Sequence, residues 1–190
     1  MNLLQLDASA WSELENAAVN PDSGFRQVNL CSVNTSMRPQ ARMVVLRRAD
    51  ERSRLLEFHT DVRSRKWREI RFNPFTTILG FCGKSRLQLR LQGMAELHGP
   101  GSEQADRAWD QLSRWTRSTY AGGPPGDVLS DETPSPPNAT VESGGKSVFG
   151  VITFRAEALD WFRLGRENNR RAEFIYNDAG ELVTSRWINP

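Results

Sequence analysis

The sequence predicts a mainly antiparallel β fold of the α+β class, a barrel with flanking helices. Three observations carry this. Strand-like runs follow one another closely over 25–34, 40–48, 55–60, 76–81 and 87–97, and resume from 148 onward. Helical patterns are inserted between groups of strands and do not alternate with them, as a parallel βαβ sheet would require. Neither a Gly-x-Gly-x-x-Gly run nor a Walker loop is present, which argues against Rossmann and P-loop nucleotide sites.

The elements read in order as follows. Asp7-Ala-Ser-Ala carries helix-cap chemistry, and Leu6, Trp11, Leu14 and Ala18 fall on one helical face, ended by Pro21-Asp-Ser-Gly24. In the first strand Val28, Leu30 and Ser32 alternate with Gln27, Asn29 and Cys31. Met43 to Leu46 is a continuous apolar run, and 49–53 a hairpin loop. Asp61 or Ser64 caps a helix whose inner face carries Trp67 and Ile70, and Asn73-Pro74 stops it. Leu87, Leu89 and Leu91 alternate with Gln88, Arg90 and Gln92, so one strand face is apolar and the other strongly polar. Ala105, Ala108, Trp109, Leu112 and Trp115 form one helical stripe. Residues 121–146 hold five Pro and five Gly, the signature of a long loop. Strands follow at 148–155, 159–164, 173–176 and 183–188, with a hairpin turn at 177–180.

Composition bounds the class. At roughly 150 residues per domain, a chain of 190 residues is expected to be one domain, 1–190. With 38% apolar and 25% charged residues it is neither disordered nor collagen-like. No run approaches the ~18 apolar residues of a membrane span. Met1–Trp11 lacks the basic and apolar regions of a signal peptide. Cys31 and Cys82 are too few for a disulfide framework or a zinc site. These features predict a soluble cytoplasmic protein without a membrane partner. A net charge of +2 does not argue for a nucleic-acid partner. Of the 25 basic residues, 22 are Arg. Genome composition accounts for much of that excess, so the informative point is where the arginines cluster.

Three segments offer chemistry. In Thr60-Asp-Val-Arg-Ser-Arg-Lys66 a strand ends and a helix begins with Ser64, Arg65 and Lys66 in its first turn. Cations there oppose the helix dipole. Free backbone N–H groups, a hydroxyl and two cations would grip a phosphate; a solvated basic helix end is the plainer alternative. In Arg42-Met-Val-Val-Leu-Arg47, Arg42, Val44 and Leu46 share one strand face and Met43, Val45 and Arg47 the other. An arginine at a barrel rim could reach a ligand. Gln88, Arg90 and Gln92 offer amide donors and acceptors suited to a heteroaromatic edge, or simply a solvated face.

Together, Arg42-x-Val-x-Leu-Arg47, Phe58-His-Thr-Asp-x-x-Ser-Arg-Lys66, Asn73-Pro74, Gln88-x-Arg-x-x-Gly93 and Arg170-Arg171-x-x-Phe174 resemble the pyridoxamine 5′-phosphate oxidase-like flavoproteins. The resemblance covers about 25–190. It implies a six-stranded antiparallel split β-barrel with flanking helices that binds FMN and works as a homodimer, each flavin held between two subunits. Carried over residue by residue, it implies that Arg42, Met43, Val44, Val45, Leu46 and Arg47 line the flavin. His59 and Thr60 would be strand-end contacts, and Ser64, Arg65 and Lys66 would hold the FMN phosphate. Gln88 would touch the ring system. Phe162 stands where the family usually has Trp, and Arg171, or its neighbour Arg170, matches a flavin-binding Arg.

The departures bear on substrate. Arg47 replaces the family's Lys. Glu167-Asn-Asn169 stands where true pyridoxamine phosphate oxidases carry Arg-x-His. Arg114 and Ser118 keep the spacing of a substrate-phosphate pair without its surrounding residues. The resemblance therefore implies an FMN-dependent oxidoreductase acting on an unassigned small molecule. The alternatives are a genuine pyridoxamine/pyridoxine 5′-phosphate oxidase and a non-catalytic flavin- or haem-binding module. Elsewhere, Cys31 and Cys82 are expected to be buried, His98 to be exposed, and Trp109, Trp115, Trp161 and Trp187 to pack.

Overall fold

In the computed structural model, which describes residues 1–128 and 145–190, strands dominate. Helix α1 (Leu3–Val19) precedes β1 (Gln27–Val33), β2 (Pro39–Asp50) and β3 (Leu55–Asp61). Helix α2 (Arg65–Phe72) leads to β4 (Phe75–Cys82) and β5 (Leu87–His98), and two short helices follow, α3 (Glu103–Asp110) and α4 (Arg114–Ser118). Strands β6 (Phe149–Arg163), β7 (Arg170–Tyr176) and β8 (Leu182–Ile188) complete the order. All pairings are antiparallel, in the order β3-β2-β1-β4-β5-β6-β7-β8, with β3 also paired to β6. That extra pairing closes six strands into the expected barrel, and β7 and β8 extend from it as an open arm.

Strand β6 makes this possible by its length of 15 residues. Its first half, Phe149 to Arg155, pairs with β3, and Ala158 to Arg163 pairs with β7. Strand β5 runs along its other edge throughout, with a bulge at Gln92/Gly93. Gly93 has no substitute there: a Cβ would stand 2.0 Å from the Arg155 carbonyl oxygen. Inside the barrel, Leu30, Leu46, Phe58, Ile78, Leu89, Ile152 and Phe154 are fully buried. Burial of such a set is the main favourable term of folding.

Helix α1 closes one end of the barrel, with Trp11 and Leu14 buried. It is fastened by a polar cluster that the sequence did not announce. Arg54 donates to Asp7 Oδ2 over 2.8 Å, Tyr176 OH donates to Asp7 Oδ1 over 2.5 Å, and Trp11 Nε1 donates to Tyr176 OH over 3.0 Å. Asp7 is therefore a buried mid-helix anchor, and the helix is capped instead by Asn2 and Gln5 in a reciprocal capping box.

Other expectations need correction. The 105–115 stripe is broken at 111–113, where Ser113 caps a new helix, and Trp115 is exposed. Trp109 does pack, against Phe149. The two expected strands at 148–164 are one. His98 is buried and hydrogen-bonded to Thr153 Oγ1 at 2.8 Å. Cys31 is half-buried, Cys82 buried, and both are free. Trp187 is partly exposed, set edge-on against the buried Trp161. Of the loop 121–146, residues 129–144 lie outside the described residues. Among the described residues no helix is long and apolar enough to cross a membrane.

Candidate functional site

Strand β3 delivers the chain into α2 at the mouth of the barrel. Ser64 occupies the N-cap position of α2, but its hydroxyl caps nothing; it lies 3.3 Å from the Thr60 hydroxyl instead. Asp61, the other expected cap, turns back on Arg63, accepting from its backbone N–H over 2.7 Å and from its guanidinium. The first turn of α2 holds no acidic residue. Its backbone donors, two hydroxyls and the cations Arg65 and Lys66 thus collect at one place. Burial, and then the charge of Arg42, hold the Lys66 ammonium below the usual lysine range. Such a group is relieved by an incoming anion. This donor set fits the phosphate of a cofactor such as FMN.

Arg42 itself is more constrained than a free rim arginine. It faces inward on the register row Arg42, Leu30, Ile78, Leu91, Leu159, Phe174, whose other members are all buried apolar side chains. Its guanidinium donates to Glu69 Oε2 over 2.5 Å and to Ser32 Oγ over 2.6 Å. Val44 and Leu46 share that face and are buried in the core, so only their backbone is available to a ligand. Met43 and Val45 lie on the outer face.

Arg47 sits at a β-bulge, where the β2–β3 register slips between Leu46 and Arg48. A bulge re-aims a side chain. Arg47 lines a cavity of about 500 Å³ with Arg26, Glu57, His59 and Arg107 among its walls. Arg26 is spent on backbone carbonyls, those of Ala17, Ala18 and Leu46. Its pKa is lowered by burial and then by Arg47. Glu57 binds His59 Nε2 at 3.3 Å and Arg107 at 3.2 Å. Burial pushes its carboxyl up, but His59, Arg107 and Arg48 outweigh that and leave it below the usual range. His59 Nδ1 is buried without a partner among the described residues.

Gln88, Phe162 and Arg171 come together elsewhere. Gln88 pairs with Phe162, and Phe162 with Arg171, in one row across β5, β6 and β7. Asp160 orients the arginine, accepting from Arg171 Nε over 2.9 Å and from Nη2 over 2.6 Å, and also from Arg90 over 2.6 Å. Arg170 points away from this row and stacks on Trp187 at 4.3 Å. The row lies on the outer face of the wall whose inner face carries Arg42. Arg114 and Ser118 stand on α4, and the Ser118 hydroxyl is bonded to its own helix at Trp115 O, 2.7 Å away.

Sequence reading missed Ser32, Glu69, Arg26, Glu57 and Asp160. Glu69 carried a weak signal, a carboxylate one residue before the inward Ile70. Asp160 carried none, because its role depends on arginines of the two strands that flank β6, Arg90 of β5 and Arg171 of β7.

The fold is that of a split barrel, and its α2 mouth carries a phosphate-type donor set. Residues 8–99 match the family model described as pyridoxamine 5′-phosphate oxidase, FMN-binding domain. A pyridoxine/pyridoxamine 5′-phosphate oxidase 2 of Arabidopsis thaliana is 26% identical over 95% of this chain and 96% of its own length. A pyridoxine/pyridoxamine 5′-phosphate oxidase of Burkholderia mallei is 36% identical over 42% of this chain and 36% of its own. The fold is shared with a pyridoxamine 5′-phosphate oxidase-related, FMN-binding protein of Nostoc punctiforme (TM-score 0.75, 24% identity, 100% of this chain and 99% of that one). PhzG of Burkholderia lata also shares it (TM-score 0.69, 16% identity, 98% and 92%).

Proposed function

We propose that this protein is an FMN-dependent oxidoreductase that acts as a homodimer on a small molecule. The observation that carries the reading is the separation of two donor sets, one at the α2 mouth of the barrel and one on the outer face of the β5–β6–β7 wall. The α2 mouth with Lys66 suits the phosphate, and the Gln88–Phe162–Arg171 row suits a heteroaromatic ring edge. In a dimer the outer row of one copy would meet the mouth of the other. The outer face also exposes Met43, Phe75 and Phe81, an apolar surface that a second copy would cover.

FMN would supply hydride or electron transfer at its ring. The chain's own part is binding and electrostatics: Arg47 and Arg26 beside the cavity favour a negatively charged ligand state there. The test is the absorbance spectrum of the purified protein with identification of the released cofactor, beside its mass in solution. A yellow dimer releasing FMN supports the reading. A colourless protein that refuses FMN, or a haem-type band, overturns it.

A second reading, genuine pyridoxamine/pyridoxine 5′-phosphate oxidation, is favoured by the near full-length match to the Arabidopsis thaliana oxidase. Glu167-Asn168-Asn169 weighs against it, since it lacks both Arg and His. Oxygen-dependent formation of pyridoxal phosphate by the holoprotein decides between the two.

A further inference from the structure

A second cationic basin lies outside the sites above. The β4–β5 turn and the β6–β7 connection enclose a cavity of about 420 Å³, whose walls carry Lys84, Arg86, Arg163, Arg166 and Arg170. Ser85 and Asn168 add polar side chains, and no carboxylate lines it. The two loops are tied together by Leu164 N–H donating to Arg86 O over 3.0 Å, and Gly165 N–H donates to Asn169 Oδ1 over 3.2 Å. None of these five cations forms an ion pair with a described residue. Glu167 lies in the β6–β7 connection between Arg166 and Asn168 but is not in the cavity wall, while Asp160 holds Arg90 and Arg171, and Glu173 holds Arg186. The Arg47 cavity, by contrast, contains Glu57.

Five like charges around one concavity repel one another, and a multiply charged anion removes that repulsion. Arginine presents a planar fork of donors that matches phosphate and carboxylate oxygens. Arg170 sets its guanidinium carbon over the Trp187 ring, 4.3 Å from its centre, and the guanidinium N–H groups have no hydrogen-bond partner among the described residues. We propose that this basin is a binding site for a compact polyanion bearing two or more phosphate or carboxylate charges. Arg163 and Arg170 pair one step beyond Phe162 and Arg171 in the sheet register, so they share the end of the sheet with the Gln88–Phe162–Arg171 row but face its other side. The anion is then either a free effector or the charged tail of a molecule that reaches round the sheet end to that row. The site itself does not depend on the flavin reading.

Inorganic pyrophosphate is the probe. It is titrated into the full-length protein by calorimetry, and by indole fluorescence, because Arg170 touches Trp187. The expected result is saturable one-site binding that weakens tenfold or more in the Lys84→Gln/Arg166→Gln double variant, with FMN affinity within twofold of wild type. Unchanged pyrophosphate binding in that variant overturns the proposal. So does loss of pyrophosphate binding in Lys66→Met instead, which would send the probe to the α2 mouth. Weakened self-association with pyrophosphate affinity intact also overturns it, because the charges would then serve an interface. Once a substrate is found, pyrophosphate that raises its KM at constant kcat identifies a substrate tail. Binding without competition identifies an effector. Either of these outcomes upholds the site.

Discussion

Arg42 and Glu69 are joined across the barrel mouth at 2.5 Å, and Ser32 bonds to both, donating to Glu69 Oε2 over 2.6 Å and accepting from Arg42 over 2.6 Å. This triangle ties β1, β2 and α2 into one corner. It makes Arg42 a structural member of the site before any ligand arrives. Replacing Arg42 by Ala leaves the Glu69 carboxylate buried with a single hydroxyl donor. The expected loss is about 2 kcal/mol, below the full cost of breaking a buried pair because Arg42 is partly solvated. The urea midpoint of the apoprotein reads it.

Lys66 should behave in the opposite way. Its ammonium forms no ion pair with a described residue, and burial and Arg42 disfavour its charge. Lys66→Met is therefore expected to leave apoprotein stability unchanged or slightly raised, while FMN affinity falls at least tenfold. Flavin fluorescence titration measures the second quantity.

The same residue links binding to protons. The folded pKa of Lys66 lies below its ordinary 10.5, and an adjacent phosphate raises it again. Binding in the window just below pH 10.5 should take up a fraction of a proton. Calorimetry in two buffers of different ionisation enthalpy checks this, and Lys66→Met should abolish the difference.

Tyr120 predicts an alkaline limit. Burial pushes its phenol up to about 12 from the ordinary 10. A raised folded pKa stabilises the protein fully below pH 10, and the contribution is lost as pH rises from 10 through 12. Tyr120→Phe keeps the edge contacts to Trp109 at 6.1 Å and Phe149 at 5.0 Å. Its Tm should match wild type at pH 8 and fall less steeply above pH 10.

Asp7→Asn tests the α1 anchor. It removes the charge that pairs with buried Arg54 and turns one of the two carboxylate acceptors, which serve Arg54 and Tyr176 OH, into an amide donor. The expected cost is about 3 kcal/mol, read by chemical denaturation, with FMN affinity unchanged because the cluster lies at the other end of the fold from Lys66.

Much of the architecture was legible because strand alternation is a local signal. Leu87, Leu89 and Leu91 do face inward and Gln88 outward, and the Ser64-Arg65-Lys66 turn does open a helix. What escaped depended on tertiary partners. Asp7 has a cap's chemistry, yet Arg54 and Tyr176, far along the chain, bury it inside α1. Arg155-Ala-Glu-Ala158 lacks an apolar run and reads as a break, but pairing with β3, β5 and β7 carries β6 through it. His98 reads as a polar strand end, and Thr153 across the sheet gives it a buried partner. Of the site, the cation positions were legible. The carboxylates that orient them, Glu69, Glu57 and Asp160, were not, because Glu69 and Asp160 act on residues from other elements and Glu57, beside His59 on β3, also takes Arg107 from α3.

The single strand β6 has a mechanical consequence. It belongs to the closed barrel along its first half and to the open arm along its second, with β5 alongside both. The arm therefore has no hinge of its own at this seam, and Phe162 inherits the stiffness of the barrel wall. Amide exchange should show it: the Leu159–Phe162 amides should be protected on the same slow timescale as Val151–Phe154, and the two stretches should open together.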